Sequence, residues 1–243
     1  MNSYEEKALY DLKSWEKNML KKPSLTSRIS KGLQNKANDF IPDKVHVAIT
    51  EAIKNMIKAV LIGSKFTTKP PMVNTPLEKR EILVMEKLNF YRKTATLSGA
   101  GTGAGGILLG LADFPVLLSI KIKFLFDTAS LYGFNVKDYK ERLYILHVFL
   151  LAFSSDEKRI EIYEILKKWN DYSKELPEDL NSFDWRSFQQ EYRDYIDLAK
   201  MLQLVPGIGA LVGAYANYQL MEKLGKTAMN AYRLRVFKKM VVS

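Results

Sequence analysis

Apolar residues recur at helical spacing along most of the chain, and no stretch alternates with a period of two over a convincing length. Residues 4–21 and residues 42–61 each place their apolar side chains on one face and their charges on the other, which predicts two amphipathic helices. Pro23 ends the first, because proline cannot continue the helical hydrogen bonds. The pattern predicts an all-α protein, a multi-helix bundle.

Further helices are predicted over residues 24–40, 76–93, 138–153, 156–175, 185–200 and 208–240, and from Pro115 to a C-cap at Gly133. Residues 138–153 are apolar on most sides and should form a buried core helix that begins at Asp138. Residues 64–76 contain two adjacent prolines and show no periodicity. This loop divides the chain into an N-terminal amphipathic helical arm, residues 1–69, and a main helical domain, residues 76–243.

Nine of the thirteen glycines lie in two apolar segments, residues 94–120 and 205–217. A glycine inside a helix costs about 0.5–1 kcal/mol relative to alanine, so this clustering needs a reason. Pairs of small residues four apart lie on one helical face and let a neighbouring backbone approach closely. The predicted packing pairs are Gly99 with Gly103, Gly106 with Gly110, and Gly209 with Gly213. They predict a glycine-rich, close-packed helical core.

Two other interpretations of the glycine-rich segments are less consistent with the sequence. Gly101, Gly103 and Gly106 match the dinucleotide-binding pattern, but the preceding residues predict a helix where that motif needs a strand. Residues 94–112 and 201–221 are charge-free and long enough to span a bilayer. They are rich in small and polar residues, however, and Asp113 and Pro115 follow the first directly. A helical hairpin that lies against a membrane remains consistent with the sequence.

Charge is distributed unevenly along a chain that carries a formal net charge of +10 and contains no cysteine. Residues 1–93 and 201–243 are strongly basic, whereas residues 154–200 are acidic. Basic ends favour an anionic partner, or alternatively pair with the acidic segment within the molecule. The N-terminus has no apolar signal-peptide core, and the absence of cysteine suits a reducing cytosol. We therefore expect a cytoplasmic protein.

Asp113 is the single charge in an apolar stretch, and two interpretations of it are open. An aspartate before a first-turn proline is a standard N-cap, which predicts a helix that starts at Phe114. Alternatively, Asn217 follows Gly213 much as Asp113 follows Gly110, and the two form a polar cluster that Arg233 or Lys121 completes. Neither histidine has metal-ligand or catalytic spacing, so no catalytic residue, metal or cofactor is predicted.

The predicted C-terminal helix ends in a basic segment in which Arg233, Arg235, Lys238 and Lys239 alternate with aromatic and aliphatic residues. Such a segment is typical of helices that bind an anionic membrane surface or a protein partner. A helix whose charges simply face water is the alternative. No nucleic-acid recognition motif is present, so nucleic acid is not an expected partner.

The glycine-rich segments together resemble the EcsC family of bacterial proteins. The resemblance lies in the sequences GAGTG at residues 99–103, GGILLGLADFP at 105–115, Tyr132-Gly133, PGIGALVGAYAN at 206–217, Ala228 and Tyr232-Arg233. It extends from about Glu78 to the C-terminus and is weaker before Pro70. The founding member of that family is encoded beside the subunits of an ABC transporter, and the family supplies no catalytic residues.

The resemblance implies a non-enzymatic accessory protein, peripheral to the inner face of the cell membrane. An anionic membrane surface and an ABC transporter or other membrane protein are its expected partners. The alternative is an enzyme or small-molecule binder with a polar pocket around Asp113 and Asn217, at the two glycine-rich segments.

Overall fold

The computed structural model describes residues 1–21, 43–62, 68–101, 106–155, 158–178, 182, 184 and 210–242. These residues form eight α-helices, which confirms the predicted all-α bundle. The helices are α1 (Ser3–Met19), α2 (Asp43–Ile62), α3 (Leu77–Gly101), α4 (Gly106–Leu131), α5 (Tyr139–Phe153), α6 (Arg159–Lys167), α7 (Trp169–Glu175) and α8 (Ala210–Val242). The helices predicted over residues 24–40 and 185–200 lie outside the described residues.

The helices α1 and α2 confirm the first two amphipathic predictions. A capping box starts α1: the Asn2 side chain accepts from the Glu5 backbone N–H, and the Glu5 side chain accepts from the Asn2 backbone N–H. Ala8, Leu12 and Trp15 are buried, as their spacing on one face requires. Both helices lie against the predicted main domain, with α1 packed on α3, α6 and α8, and α2 packed on α4 and α5.

Helices α3, α4 and α8 form the centre of the bundle. Tyr91 near the end of α3 contacts Asp127 of α4, and Glu81 near its start contacts Tyr132, so the two helices are antiparallel. Helix α8 is also antiparallel to α3, because Arg92 pairs with Glu222 while Glu81 pairs with Arg233. The C-terminal end of α3 therefore lies at the same end of the bundle as the N-terminal ends of α4 and α8.

The described glycine that is tightly packed in this centre is Gly225 of α8, which was not among the predicted packing pairs. A Cβ atom added there would lie 2.6 Å from the Leu88 Cδ2 atom of α3. The backbone of α8 therefore approaches α3 too closely for a larger residue without a shift of Leu88. Of the predicted glycines, Gly103 and Gly209 lie outside the described residues, and the other four lie within helices. Their predicted packing role stays a prediction.

Helix α5 is the buried core helix that the sequence predicts. Every residue from Glu141 to Phe153 is buried, and the Asp138 side chain caps the helix by accepting from the Lys140 backbone N–H at 2.9 Å. Before it, Gly133 adopts a φ of +89°, the left-handed conformation expected of a C-cap glycine. A Cβ atom there would lie 2.8 Å from the Met72 carbonyl oxygen.

The structure corrects the prediction that Asp113 caps a helix. Helix α4 begins at Gly106 and continues through Asp113 and Pro115 without interruption, so Asp113 lies inside it. An internal proline removes one helical hydrogen bond and crowds the preceding turn. A proline in a sequence therefore usually predicts a helix boundary. The residues that flank Pro115 in the sequence are apolar, and Phe114, Leu117 and Leu118 are packed in the core. Burial of this face stabilises a continuous helix where local signals predict a start.

Candidate functional site

The predicted polar cluster is only partly assembled. Lys121 of α4 and Asn217 of α8 meet: the Lys121 ammonium nitrogen lies 3.1 Å from the Asn217 Oδ1 atom, and both residues are fully buried. Arg233 lies more than four turns further along α8 and contacts Glu81 instead. Asp113 is half-buried on α4, and among the described residues no hydrogen bond joins it to the other three.

Lys121 is the unusual member of this cluster. Burial lowers the pKa of its amine to about 7, because no water solvates the ammonium form. With a pKa of about 7 the amine is only partly protonated at physiological pH, and its amide partner Asn217 cannot supply a compensating charge. The pair therefore ties α4 to α8 close to the glycine-rich segments at an electrostatic cost.

Arg233 forms a bidentate ion pair with Glu81, with Nε and Nη2 lying 2.7 and 2.6 Å from the two carboxylate oxygens. The hydroxyls of Tyr4 and Tyr132 donate to the same carboxylate at 2.7 and 2.8 Å. Burial alone would lower the pKa of Arg233, but the hydrogen bonds and charge of Glu81 outweigh it and raise that pKa. The network joins α1, α3, α4 and α8.

Glu81 was missed by the sequence analysis, although a signal for it exists. It lies in a stripe along one face of α3. The remaining residues of that stripe are all apolar and buried: Leu77, Val84, Leu88, Tyr91 and Ala95. A single carboxylate in such a stripe must be paired within the core, because an unpaired buried charge is very costly. Its partner cannot be read from the sequence.

A second buried ion pair joins Arg235 to Glu141 of α5 at 2.6 Å. Burial raises the pKa of Glu141 although Arg235 opposes the shift. The Arg235 guanidinium also lies 3.7 Å from the centre of the Phe134 ring and 4.4 Å from that of Tyr144, at cation–π distance. Tyr232 completes the pair by donating to Glu141 at 2.9 Å.

These two ion pairs correct the prediction that Arg233 and Arg235 bind an anionic surface. Arg233 and Arg235 are turned into the bundle and neutralised by carboxylates, so their charges do not face an outside surface. The orientation of the two arginine side chains depends on the apolar environment and on acidic residues of other helices. The local sequence shows neither. Lys238 and Lys239 are exposed, as the prediction requires.

The glycine-rich segments come together at one end of the bundle, which we call the glycine-rich end. It comprises the helical residues 97–101 of α3, 106–112 of α4 and 210–214 of α8, and the antiparallel pairing described above places all three at that end. These helix ends contain no charged residue. No helix in the described part of the chain is long and apolar enough to cross a membrane.

Exposed aromatic residues and cations lie close to this end. Tyr215 is 66% exposed, Phe90 is 60% exposed, and Lys93 is exposed one helical turn beyond Phe90. The Arg92 guanidinium lies 4.4 Å from the centre of the Tyr218 ring. Charge-free helix ends beside exposed tyrosine, phenylalanine and lysine side chains are typical of surfaces that enter the interfacial layer of a membrane.

A cleft of about 430 Å³ lies between α1, α3 and α8. We call it the α1–α8 cleft. Asp11, Ser14 and Asn18 line it from α1, and Lys226, Asn230 and Arg233 from α8. Its apolar walls come from Trp15, Met85, Leu88 and Met229. The sequence analysis did not predict it, because α1 and α8 lie at opposite ends of the chain.

The described histidine side chain, that of His147, lies in the core. It is buried in α5, its Nδ1 atom lies 2.8 Å from the Leu143 carbonyl oxygen, and burial lowers its pKa to about 4, so it is neutral. Among the residues that the structure describes, no group of three histidine, cysteine, aspartate or glutamate side chains is placed to hold a metal ion. The side chain of His46 lies outside them.

Comparison with known proteins places the chain in a family. The model of the EcsC protein family matches residues 6–237, which includes most of α1 as well as the segments that carry the resemblance. The chain is 46% identical to Protein EcsC of Bacillus subtilis over 225 residues, which cover 92% of each chain. It is 32% identical to the uncharacterized protein YdbA of B. subtilis over 143 residues, 58% of this chain and 52% of that protein. No solved structure matches significantly. The chain therefore belongs to the EcsC protein family.

Proposed function

We propose that this protein is a non-enzymatic accessory protein that binds the anionic cytoplasmic surface of the cell membrane through its glycine-rich end. The observation that carries the proposal is the meeting of three charge-free helix ends at one end of the bundle, with exposed aromatic and basic side chains beside them.

The expected free energy of membrane binding is modest, and it is the sum of contributions from individual side chains. Burial of an exposed aromatic side chain in the interfacial layer contributes about 1.5–3 kcal/mol, and each basic residue near an anionic surface contributes about 1 kcal/mol. Tyr215, Phe90 and Lys93 therefore favour a weak and reversible association.

A membrane protein is the partner that fits this location. The resemblance to the EcsC family supports an ABC transporter as the first candidate. We propose that membrane binding concentrates the protein in the plane where such a transporter lies. Co-purification from native membranes with a tagged copy of this chain tests the partner separately from the lipid.

Flotation of the purified protein with liposomes tests the lipid step. Vesicles that contain phosphatidylglycerol should carry the protein at low salt, and vesicles of phosphatidylcholine alone should carry much less. Tyr215→Asp should abolish flotation, because it places a negative charge at the glycine-rich end. Its matched control is Tyr10→Asp on α1, where the tyrosine is 74% exposed and belongs to the surface between α1, α3 and α8.

A charge-reversal pair on one helix provides a second comparison. Lys93→Glu should weaken binding to anionic vesicles, whereas Lys79→Glu, exposed near the other end of α3, should change it less. Absence of flotation at low salt, or equal loss in each variant and its control, would overturn the proposal. Circular dichroism on all four variants distinguishes loss of binding from loss of fold.

A further inference from the structure

The α1–α8 cleft has the size and chemistry of a binding site for a small molecule. Its volume of about 430 Å³ lies within the range of known ligand pockets, which is about 300–1,000 Å³. Trp15 and Leu88 are almost fully buried and form an apolar floor, while Met85 is 42% exposed at the wall. A mixed lining of this kind can hold an apolar group and orient a polar one.

The Arg233 side chain supplies a fixed donor at one wall of the cleft. Its Nε and Nη2 groups are used by Glu81, which holds the guanidinium in place. Its Nη1 group has a contact with the Asn230 Oδ1 atom at 3.4 Å, which is long for a hydrogen bond between these atoms. Arg233 is only 8% exposed, so an acceptor in the cleft would meet a positioned and largely desolvated N–H donor.

Two further charges of opposite sign line the cleft from facing helices. Lys226 lies on α8 two turns before Arg233 and on the same face, and Asp11 lies on α1. Glu222 and Arg233 also line the cleft, but each is matched by an ion pair, Glu222 with Arg92 and Arg233 with Glu81. Within the described chain no ion pair joins Asp11 to Lys226. A pure anion would be repelled by Asp11, and a pure cation by Lys226.

We propose that the α1–α8 cleft binds a small zwitterion with an apolar side chain, namely an amino acid or a short peptide. The carboxylate of the ligand contacts Lys226 and the Nη1 group of Arg233, and its ammonium group contacts Asp11. The apolar side chain packs on Trp15, Leu88 and Met85. This site goes beyond membrane binding, because it lies on other helix surfaces than the glycine-rich end and requires no lipid.

Isothermal titration calorimetry on the full chain tests this proposal with L-leucine, L-phenylalanine and the dipeptide Leu-Leu. At least one of these probes should bind, and N-acetyl-leucine and leucinamide, which lack one of the two charges, should bind at least about tenfold more weakly than leucine. A charge-assisted hydrogen bond has about that value in affinity.

Surface variants assign the contacts without disturbing the core. Lys226→Gln should weaken binding of the zwitterion about tenfold without weakening binding of leucinamide, because leucinamide has no carboxylate. Asp11→Asn should likewise weaken binding of the zwitterion without weakening binding of N-acetyl-leucine, which has no ammonium group. Lys223→Gln and Glu6→Gln are matched controls, because both residues are exposed on the same two helices and do not line the cleft.

Two results would overturn the zwitterion site. One is that none of the three probes binds at millimolar concentration, and the other is that Lys226→Gln and Asp11→Asn bind as tightly as their controls. Flotation with liposomes is unaffected by either result, so failure of the cleft proposal and failure of the membrane proposal are observed separately.

Discussion

Replacement of Arg233 by methionine should destabilise the protein strongly, because it leaves the Glu81 carboxylate buried without its cation. Glu81 is 1% exposed and receives two N–H donors from Arg233 at 2.6 and 2.7 Å. Removal of one partner of a buried ion pair costs about 3–5 kcal/mol of unfolding free energy. For a chain of this length, 1 kcal/mol corresponds to about 2–4 °C, so the melting temperature should fall by about 6–20 °C.

The remaining donors to Glu81 limit the loss but do not remove it. The hydroxyls of Tyr4 and Tyr132 still donate to the carboxylate, yet neither carries charge. Glu81→Gln in the Arg233→Met background should restore part of the stability, because it removes the buried charge itself. A double-mutant cycle should therefore give a coupling energy of about 1–3 kcal/mol.

Urea denaturation followed by far-UV circular dichroism measures these energies, with Lys238→Met as the control. Lys238 is exposed on the same helix, so its replacement should change stability by no more than about 0.5 kcal/mol. A loss below about 1 kcal/mol for Arg233→Met, or a double variant whose loss equals the sum of the two single losses, would refute the reasoning about a buried pair.

Two further predictions concern Lys121 and Gly133. The folded-state pKa of Lys121, about 7, lies below its ordinary value of 10.5, so stability should fall as the pH is lowered from 10.5 to 7, by about 1.4 kcal/mol per unit. Urea titrations at several pH values should show that Lys121→Met flattens this slope and stabilises most near pH 7; parallel slopes would contradict the assignment. Gly133→Ala should cost about 1–2 kcal/mol or more, because φ is +89° and the new Cβ atom would meet the Met72 carbonyl oxygen. An unchanged urea midpoint would argue against that strain.

Several elements were predictable because their signals are local. The single-faced spacing of α1 and α2, the Asp138 cap of α5 and the glycine C-cap at Gly133 each depend on a few neighbouring residues. The prediction for Asp113 was wrong for the same reason. An Asp-Phe-Pro sequence is a local start signal, but the packing of Phe114 and Leu117 in the core stabilises a helix that continues through it.

The site was less predictable than the fold. The sequence predicted a polar cluster of Asp113 and Asn217, completed by Arg233 or Lys121, and the structure places Lys121 and Asn217 in contact. Arg233 belongs elsewhere, because Glu81, its partner, is 152 residues away along the chain. The α1–α8 cleft likewise depends on two helices from opposite ends of the sequence.

The sequence by itself determined that this protein is helical, which faces of its helices are buried, and that its uncharged glycine-rich segments need a common explanation. Only the tertiary structure decided which charges are neutralised inside, that the three glycine-rich helix ends meet, and that α1 and α8 enclose a cleft. The physical reason is the sequence separation over which each kind of interaction acts. Helix periodicity and capping act over a few residues, whereas ion pairing and packing join residues that only the folded chain brings together.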